Sequence, residues 1–238
     1  MKTQRTLQLM LLLCAMVFTT SLSAQTKVAA SDIMDAMRKG ENITYENVTV
    51  TGILDFTYMD EKFEDLPRRS RWWRNGDNEV EEQIESRISF KNVVFEDDVI
   101  AYYHDKRSGY TFTADFERSV SFEACEFRRD AMFKYSTFEE GANFAESEFN
   151  RETTFKYAEF EDMADFSKTY FDDDAMFKYT EFKEGVSFNS AKFDRSVDMK
   201  YTKVRGDFDI TDMDVRWDII TKYAEVNGRS FIRYLMDN

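Results

Sequence analysis

Large apolar residues recur in the C-terminal half of the chain at a spacing that fits neither a helix nor an ordinary strand. They stand at alternating intervals of six and five residues, and Met199 and Val204 continue the rhythm. An amphipathic helix repeats its apolar side chains about every 3.6 residues, and a half-buried strand about every 2. The spacing therefore predicts a coil of short faces, each contributing one large side chain to the interior. The phenylalanines in this series are Phe116, Phe122, Phe127, Phe133, Phe138, Phe144, Phe149, Phe155, Phe160, Phe166, Phe171, Phe177, Phe182, Phe188 and Phe193.

A small or β-branched residue stands two positions before each of these centres. Ala131 precedes Phe133, and Thr153 precedes Phe155. This pairing of a large centre with a small partner resembles the pentapeptide-repeat family, in a variant centred on phenylalanine with one extra residue in every second unit. The resemblance implies an all-β fold: a right-handed quadrilateral β-helix, or β-solenoid, with short helical caps.

Four units sum to 22 residues, and the sequence repeats visibly at that interval. The hexapeptides are FKYSTF at Phe133, FKYAEF at Phe155, FKYTEF at Phe177 and MKYTKV at Met199. One coil should therefore hold 22 residues, and successive coils should lie about 4.8 Å apart. Equivalent side chains should then stack, both within the core and on the surface.

Two outward columns follow from this stacking, one of lysines and one of tyrosines. A row of tyrosines is a candidate binding surface for a flat or repetitive ligand such as a glycan or a peptide. The simpler interpretation is that duplication of the repeat left identical residues behind. The columns are Lys134, Lys156, Lys178 and Lys200, and Tyr135, Tyr157, Tyr179 and Tyr201.

The rhythm also divides the chain into segments. Ser31 is the expected N-cap of a first helix, and Gly40 its stop. Near the other end, Phe208 and Met213 are the preferred inward centres. The predicted segments are a signal peptide at 1–24, an N-terminal capping helix at 25–40, a first coil at 41–59, an insertion loop at 60–87, the repeat solenoid at 88–215 with an irregular part at 100–111, and a C-terminal cap at 216–238.

The first two dozen residues have the pattern of a secretory leader. Lys2 and Arg5 precede an apolar run from Leu7 to Phe18, and small residues follow. The run is shorter than the roughly 18–20 residues that span a bilayer, so we expect cleavage near Ser23 or Ala24 and no stable membrane anchor afterwards. The predicted location is the periplasm or the outside of the cell.

Composition agrees with an apolar interior and a charged exterior. The 238 residues include 23 phenylalanines and one proline, 33% of them are charged, and the formal net charge is −14. Cleavage of the leader would leave Cys125 as the only cysteine, so no internal disulfide could form and stability must come from packing.

A cluster of arginines and tryptophans is the most unusual local feature of the predicted insertion. These residue types are enriched at binding hot spots, so the cluster is a candidate partner site. The alternative, which we prefer, is that the tryptophans pack on the solenoid wall and the arginines pair with acids such as Glu79 and Glu85. The residues are Arg68, Arg69, Arg71, Trp72, Trp73 and Arg74.

Catalytic chemistry finds little support in the sequence. His104 is the only histidine, Cys125 occupies an inward position, and no glycine-rich phosphate loop is present. Acidic pairs are too common among 46 acids to single out an acid–base or metal site. We therefore expect a protein that is not an enzyme and that has no metal and no cofactor.

The leading hypothesis is a non-catalytic exported scaffold that binds an unknown protein or glycan of the cell envelope. Export argues against a nucleic-acid partner, and a homodimer through one end of the solenoid is a further expectation. One alternative is a regulator that mimics DNA, as some members of the family do in the cytosol. A second, less favoured, is a polysaccharide-active enzyme, which would carry a cluster of carboxylates or basic residues in one groove.

Overall fold

The structure, a computed structural model, describes residues 25–66 and 78–237. Its chain winds through four parallel sheets, and each turn places one short strand in every sheet. Equivalent strands follow at intervals of 22 residues, so that Phe138 pairs with Phe160 and Phe160 with Phe182. The fold is the predicted right-handed quadrilateral β-helix, with helices at its ends.

We number the strands in chain order and call the sheets faces 1 to 4. Face 1 contains β1 (Thr26–Ala29), β3 (Val48–Thr51), β7 (Val94–Phe95), β12 (Glu126–Phe127), β16 (Glu148–Phe149), β20 (Tyr170–Phe171), β24 (Lys192–Phe193) and β28 (Asp214–Val215). Face 2 contains β4 (Leu54–Asp55), β8 (Val99–Ile100), β13 (Ala131–Met132), β17 (Thr153–Thr154), β21 (Ala175–Met176), β25 (Val197–Asp198) and β29 (Ile219–Ile220).

Faces 3 and 4 complete each turn. Face 3 contains β5 (Glu79–Ile84), β10 (Thr111–Phe116), β14 (Thr137–Phe138), β18 (Glu159–Phe160), β22 (Glu181–Phe182), β26 (Lys203–Val204) and β30 (Glu225–Val226), with β9 (Tyr102–His104) and β31 (Arg229–Ser230) added antiparallel. Face 4 contains β2 (Ile43–Glu46), β6 (Ile88–Lys91), β11 (Val120–Glu123), β15 (Ala142–Asn143), β19 (Ala164–Asp165), β23 (Gly185–Ser187) and β27 (Asp207–Asp209).

Phenylalanine columns fill the interior, as the spacing predicted. Phe155 lies parallel to Phe133 and to Phe177, with ring centroids 5.2 Å apart in both pairs. It meets Phe144 of the neighbouring column edge to face at 5.2 Å. Parallel stacking along columns and edge contacts between them are both favourable ring geometries. Each ring is therefore held on several sides, which explains how a core this rich in one residue type keeps a single packing.

A helix stands at the N-terminal end. This first helix, α1 (Ala30–Arg38), follows β1 without a loop, and its Ile33 and Met37 are buried against the first coil. Ala29, in extended conformation, is its N-cap, so the expectation of Ser31 at this position is wrong. The reason is that β1 pairs with β3 as far as Ala29, and the chain turns into the helix directly after the last paired residue.

The predicted insertion contains an element of the solenoid. The strand β5 pairs in parallel with β10 over six residues and places Ile84 in the core. A short helix, α2 (Met59–Asp65), precedes it, and Phe63 of this helix packs on Phe112 with centroids 5.6 Å apart. Part of the segment 60–87 thus belongs to face 3 instead of leaving the coil.

The preferred centres near the C-terminus, Phe208 and Met213, are wrong. Phe208 pairs with Val186, which is a small inward position, and Val215 pairs with Phe193, which is a centre. A bulky ring fits at Phe208 because β27 is the last strand of face 4, so no further coil stacks on it. The rhythm itself continues, since β29 and β30 lie beyond residue 215, inside the segment that was predicted as a cap.

A final helix, α3 (Phe231–Asp237), covers the open end beside β27. Phe231 is buried and meets Phe208 edge to face with centroids 5.6 Å apart. The Tyr234 hydroxyl donates a hydrogen bond of 3.0 Å to the Phe208 carbonyl. These contacts replace the ring and the hydrogen bond that another coil would supply.

Candidate functional site

A column of tyrosines runs along the corner between faces 2 and 3. Four successive pairs of rings stack almost parallel from Tyr135 to Tyr223, with centroids 4.9, 4.7, 4.5 and 4.9 Å apart. The predicted stacking of Tyr135, Tyr157, Tyr179 and Tyr201 is confirmed. Two members escaped the sequence analysis: Tyr223 at one end, and Tyr102 of β9, which is tilted against Tyr135 at 5.8 Å, at the other.

Backbone geometry holds this column in place. Tyr157 has a φ of 61°, and the neighbouring tyrosines of the corner have similar values. The Ala158 amide donates to the Phe155 carbonyl at 2.9 Å, which closes a β-turn around Lys156 and Tyr157. The Tyr157 amide donates to the Lys178 carbonyl of the next coil at 3.1 Å. Each tyrosine is therefore fixed to the lysine one coil further along.

The lysine before each tyrosine lies over an aromatic ring. The ammonium nitrogens of Lys134, Lys156 and Lys178 are 4.6, 5.0 and 5.1 Å from the ring centroids of the tyrosines that follow them. Lys222 repeats the arrangement over Tyr223 at 5.0 Å. These distances are within the range of cation–π attraction. In the described part of the chain, none of these four lysines forms an ion pair.

Lys200 is the exception in this column. Its ammonium nitrogen is 3.3 Å from Oδ2 of Asp198, and its amide donates to the Oδ1 atom of the same carboxylate at 2.9 Å. Lys156 makes the equivalent amide contact with the hydroxyl of Thr154, which carries no charge. The ion pair at Lys200 therefore depends on one residue and not on the backbone of the coil.

The lysines repel one another because they share one side of the solenoid. Partial burial lowers the pKa of Lys156, and the positive charges of Lys134 and Lys178 lower it further. The phenols respond in the opposite direction: desolvation raises the pKa of Tyr179, and its neighbours Tyr201 and Tyr157 add to the shift. At neutral pH the corner therefore presents neutral hydroxyl groups beside a row of uncompensated cations.

Stacking determines which part of each tyrosine a ligand can reach. The two ring faces are covered by the rings above and below, so only ring edges and hydroxyl groups are open along most of the column. Tyr223, which is 62% exposed, has one uncovered face at the C-terminal end. The expected sandwiching of flat ligands between the rings is therefore excluded for the interior of the column, while hydrogen bonding to a row of hydroxyl groups is favoured.

The opposite corner, between faces 4 and 1, has the same backbone but a different surface. Its residues with positive φ also recur every 11 residues, midway between the tyrosines. Duplication of a 22-residue coil would copy both corners equally, yet only one of them is uniform. The occupants of the opposite corner are Ala124, Glu146, Lys168, Ser190 and Asp212.

Face 2, which carries the lysines, is also the least acidic side of the repeat. Over its last five coils, its outward positions hold the five lysines and, beside them, a column with a single acid, Asp198. Face 3, by contrast, presents glutamates such as Glu159 and Glu181 at its outward positions. The members of the column beside the lysines are Met132, Thr154, Met176, Asp198 and Ile220.

The arginine–tryptophan cluster lies outside the residues that the structure describes. Arg68, Arg69, Arg71, Trp72, Trp73 and Arg74 stay a prediction for this reason. On the near side of that segment, Lys62 of α2 pairs with Glu82 of β5 at 2.5 Å.

The groups with catalytic potential have structural surroundings. The Cys125 thiol is buried, and desolvation raises its pKa to about 12. The Nδ1 atom of His104 is 3.0 Å from the Thr111 hydroxyl. Within residues 25–66 and 78–237, no three histidine, cysteine or acidic side chains are grouped so that they could hold a metal ion. In the same residues, no helix has the length and hydropathy of a membrane span.

Comparisons with known proteins support the repeat assignment. No curated protein and no solved structure matches the chain. Residues 133–181 match a family model described as pentapeptide repeats (9 copies), and this segment includes the tyrosine and lysine columns from Lys134 to Tyr179. Because the strands before and after this segment continue the same four sheets in the same 22-residue register, the chain belongs to the pentapeptide-repeat family.

Proposed function

We propose that this repeat scaffold is an exported, non-catalytic protein that binds a protein or glycan of the cell envelope along its tyrosine and lysine columns. Export rests on the leader pattern of residues 1–24. Binding rests on the corner between faces 2 and 3. The proposal assigns the solenoid a passive role: it spaces identical groups along a straight line for a partner to engage.

The observation that carries the proposal is the difference between the two corners. Both have residues with positive φ, a conformation that costs a residue with a side chain about 1–2 kcal/mol. If only the backbone mattered, neither corner would favour one residue type. Tyrosine nevertheless occupies five successive coils on one side, whereas alanine, glutamate, lysine, serine and aspartate occupy the other. A demand from outside the core accounts for this asymmetry.

The alternatives find less support in the surface. A mimic of DNA needs a continuous negative surface, and the lysine column interrupts it. A polysaccharide-active enzyme needs a positioned acid or base, and in the described residues the groups around the columns are ammonium and phenol groups with carboxylates only at isolated places such as Asp198. Both functions also fit poorly with a non-polar column, Met132 to Ile220, beside the lysines.

The test compares the two corners directly. Residues 25–238 are immobilised and exposed to separated protein and polysaccharide fractions of the cell envelope. The variant Tyr135→Ala/Tyr157→Ala/Tyr179→Ala should lose the retained material. The variant Glu146→Ala/Lys168→Ala/Ser190→Ala, which changes equivalent positions of the opposite corner, should keep it. Melting curves and circular dichroism establish that both variants are folded.

Two results would contradict the proposal. Equal retention by both variants would remove the columns from binding. Reproducible turnover of an envelope polymer by the purified protein, abolished by a single substitution, would show an enzyme. Export is tested separately by cell fractionation, in which an uncleaved cytoplasmic protein would revive the regulator of a DNA-handling enzyme.

A further inference from the structure

We propose that the lysine column is a docking site for a linear acidic polysaccharide that carries one carboxylate on each sugar and lies along the solenoid axis. This inference rests on the proposed function and specifies its partner. It commits to a glycan, and it assigns Lys134, Lys156 and Lys178 as the charged contacts and the tyrosine hydroxyl groups as hydrogen-bonding contacts.

The first argument is the unused positive charge. Lysines elsewhere on the repeat find acids one coil away: Lys168 pairs with Glu146 at 2.7 Å and Lys203 with Glu181 at 2.6 Å. Lys134, Lys156 and Lys178 have no such partner in the described part of the chain, although the protein is strongly acidic. Mutual repulsion within the column is unfavourable, and a ligand with negative charges at the same spacing would relieve it.

The second argument is the spacing. Coils rise about 4.8 Å, whereas side chains on one side of an extended peptide recur about every 6.8 Å. An acidic peptide would be about 4 Å out of step after two coils. A polymer of uronic acids has one carboxylate on each sugar, and the length of a sugar is close to one coil rise. Its charges can therefore meet successive lysines without leaving the axis.

A second copy of this chain fits the column less well. Its acidic columns are interrupted: Glu117, Glu139 and Glu161 are followed at the equivalent positions by Lys183 and Arg205. Glu161 also pairs with Lys183 within the same molecule. No outward column of the described coils offers five successive acids to the five lysines.

The third argument is the way in which the tyrosines are presented. Because their rings cover one another, they offer hydroxyl groups at one-coil intervals instead of ring faces. A sugar with several hydroxyl groups can exchange hydrogen bonds with such a row at every residue. The acidic faces 1, 3 and 4 would repel a polyanion, so the lysine column also determines on which side the polymer lies.

The test measures the affinity of immobilised residues 25–238 for polygalacturonate at about 0.15 M salt, where the screening length is about 8 Å. The charge-removing variant is Lys134→Gln/Lys156→Gln/Lys178→Gln. Its control, Lys39→Gln/Lys106→Gln/Lys192→Gln, removes the same charge from three lysines that form no ion pair in the described chain and lie away from the column. We expect the first variant to bind at least about tenfold more weakly, and the control to change by less than about twofold.

A gain of affinity provides the positive counterpart. Asp198→Thr copies the arrangement at Thr154, so the amide of Lys200 keeps a hydrogen-bond acceptor while its ammonium loses the competing carboxylate. This variant should bind polygalacturonate about two- to threefold more tightly, as expected for one released surface charge. No change in affinity would show that Lys200 does not contact the polymer.

The outcomes separate this inference from the proposed function. Equal loss in both lysine variants, equally tight binding of fully methyl-esterified polygalacturonate, or binding of poly-L-glutamate as tight as that of polygalacturonate overturns the acidic polysaccharide. The proposed function still stands if envelope material remains bound through the tyrosine corner. Loss of the inference and of that retention together would remove both.

Discussion

At the scale of single residues, the solenoid is governed by two positions, the inward centre and the corner. The centres could be read from the sequence because a buried ring at intervals of five and six has no other explanation. The corners could not: tyrosine, glutamate, lysine and serine are not residues that favour positive φ, so nothing in their chemistry predicts the conformation found at Tyr157 or Glu146.

Replacing a central ring should cost a large part of the stability. Phe155→Ala removes a fully buried ring that has stacked neighbours on both sides, and such substitutions cost about 3–5 kcal/mol. Chemical denaturation followed by circular dichroism measures the loss. The control Glu152→Ala changes an exposed residue of the same coil and should stay within about 0.5 kcal/mol of the parent. Similar losses for both would mean that the ring columns do not dominate the stability.

Relief of the corner conformation should have the opposite sign. Ala124 has a φ of 52°, which glycine adopts without the steric penalty of a Cβ atom. Ala124→Gly should therefore raise the free energy of unfolding by about 0.5–1 kcal/mol, since the relieved strain exceeds the added flexibility of the unfolded chain. Ala158→Gly, at a buried position with negative φ, should lower it. A drop for Ala124→Gly would show that its corner is unstrained.

At the scale of elements, strands that follow the rhythm were predictable and those that depart from it were not. The strand β5 escaped detection because Ile84 is its only buried centre and its other side chains are mostly acids. The register of β27 was misread because a rule for small inward positions assumes a coil above, and Phe208 has none. Lys222 and Tyr223 were missed because Thr221 stands where a phenylalanine or methionine precedes the other lysine–tyrosine pairs.

The pairing of β5 with β10 predicts a pH dependence of stability. Burial raises the pKa of Asp115 from 3.8 to about 6, and hydrogen bonding to Glu81 adds to the shift. The folded state thus keeps a proton that the unfolded chain releases, so stability is highest below the unfolded pKa and falls as the pH rises towards about 6. Asp115→Asn should raise the melting temperature more at pH 7 than at pH 4.

Asp209 provides a control of the opposite sign. Hydrogen bonds from the amide and the hydroxyl of Thr211 lower its pKa, so its contribution is present above the unfolded pKa and is lost as the pH falls. Asp209→Asn should therefore lower the melting temperature at pH 7 and have less effect in acid. Melting curves with the same pH profile for both variants would contradict the assignment of the shifts.

At the scale of the whole molecule, stability depends on closing the ends of a stack that is otherwise self-similar. Each coil satisfies its neighbours, so the end coils alone expose rings and backbone groups. The helix α1 covers one end and α3 part of the other. Side chains left exposed near the C-terminal end include Trp217, at 64%, and Ile219. The predicted homodimer through a solenoid end concerns this kind of surface and stays a prediction.

Loss of the C-terminal cover should affect both stability and association. Phe231→Ala uncovers Phe208, and we expect a loss of about 3 kcal/mol or more together with oligomers in size-exclusion chromatography. Its neighbour Ile232 is 63% exposed, so Ile232→Ala should leave the melting temperature nearly unchanged. An unchanged elution profile and melting temperature for Phe231→Ala would show that α3 does not close the end.

The alternation of two corners every 11 residues has a consequence for the length of the protein. Deleting residues 156–177 joins Phe155 to Lys178 and restores the hexapeptide FKYTEF, so the molecule becomes one rung shorter with its columns intact. Deleting residues 156–166 joins Phe155 to Ser167 and also keeps a phenylalanine five residues on. The core accepts both losses, but the shorter one moves every lysine–tyrosine pair beyond it to the opposite side of the solenoid. Only changes by whole coils preserve a ruler with its marks on one edge, whereas half-coil changes divide it in two.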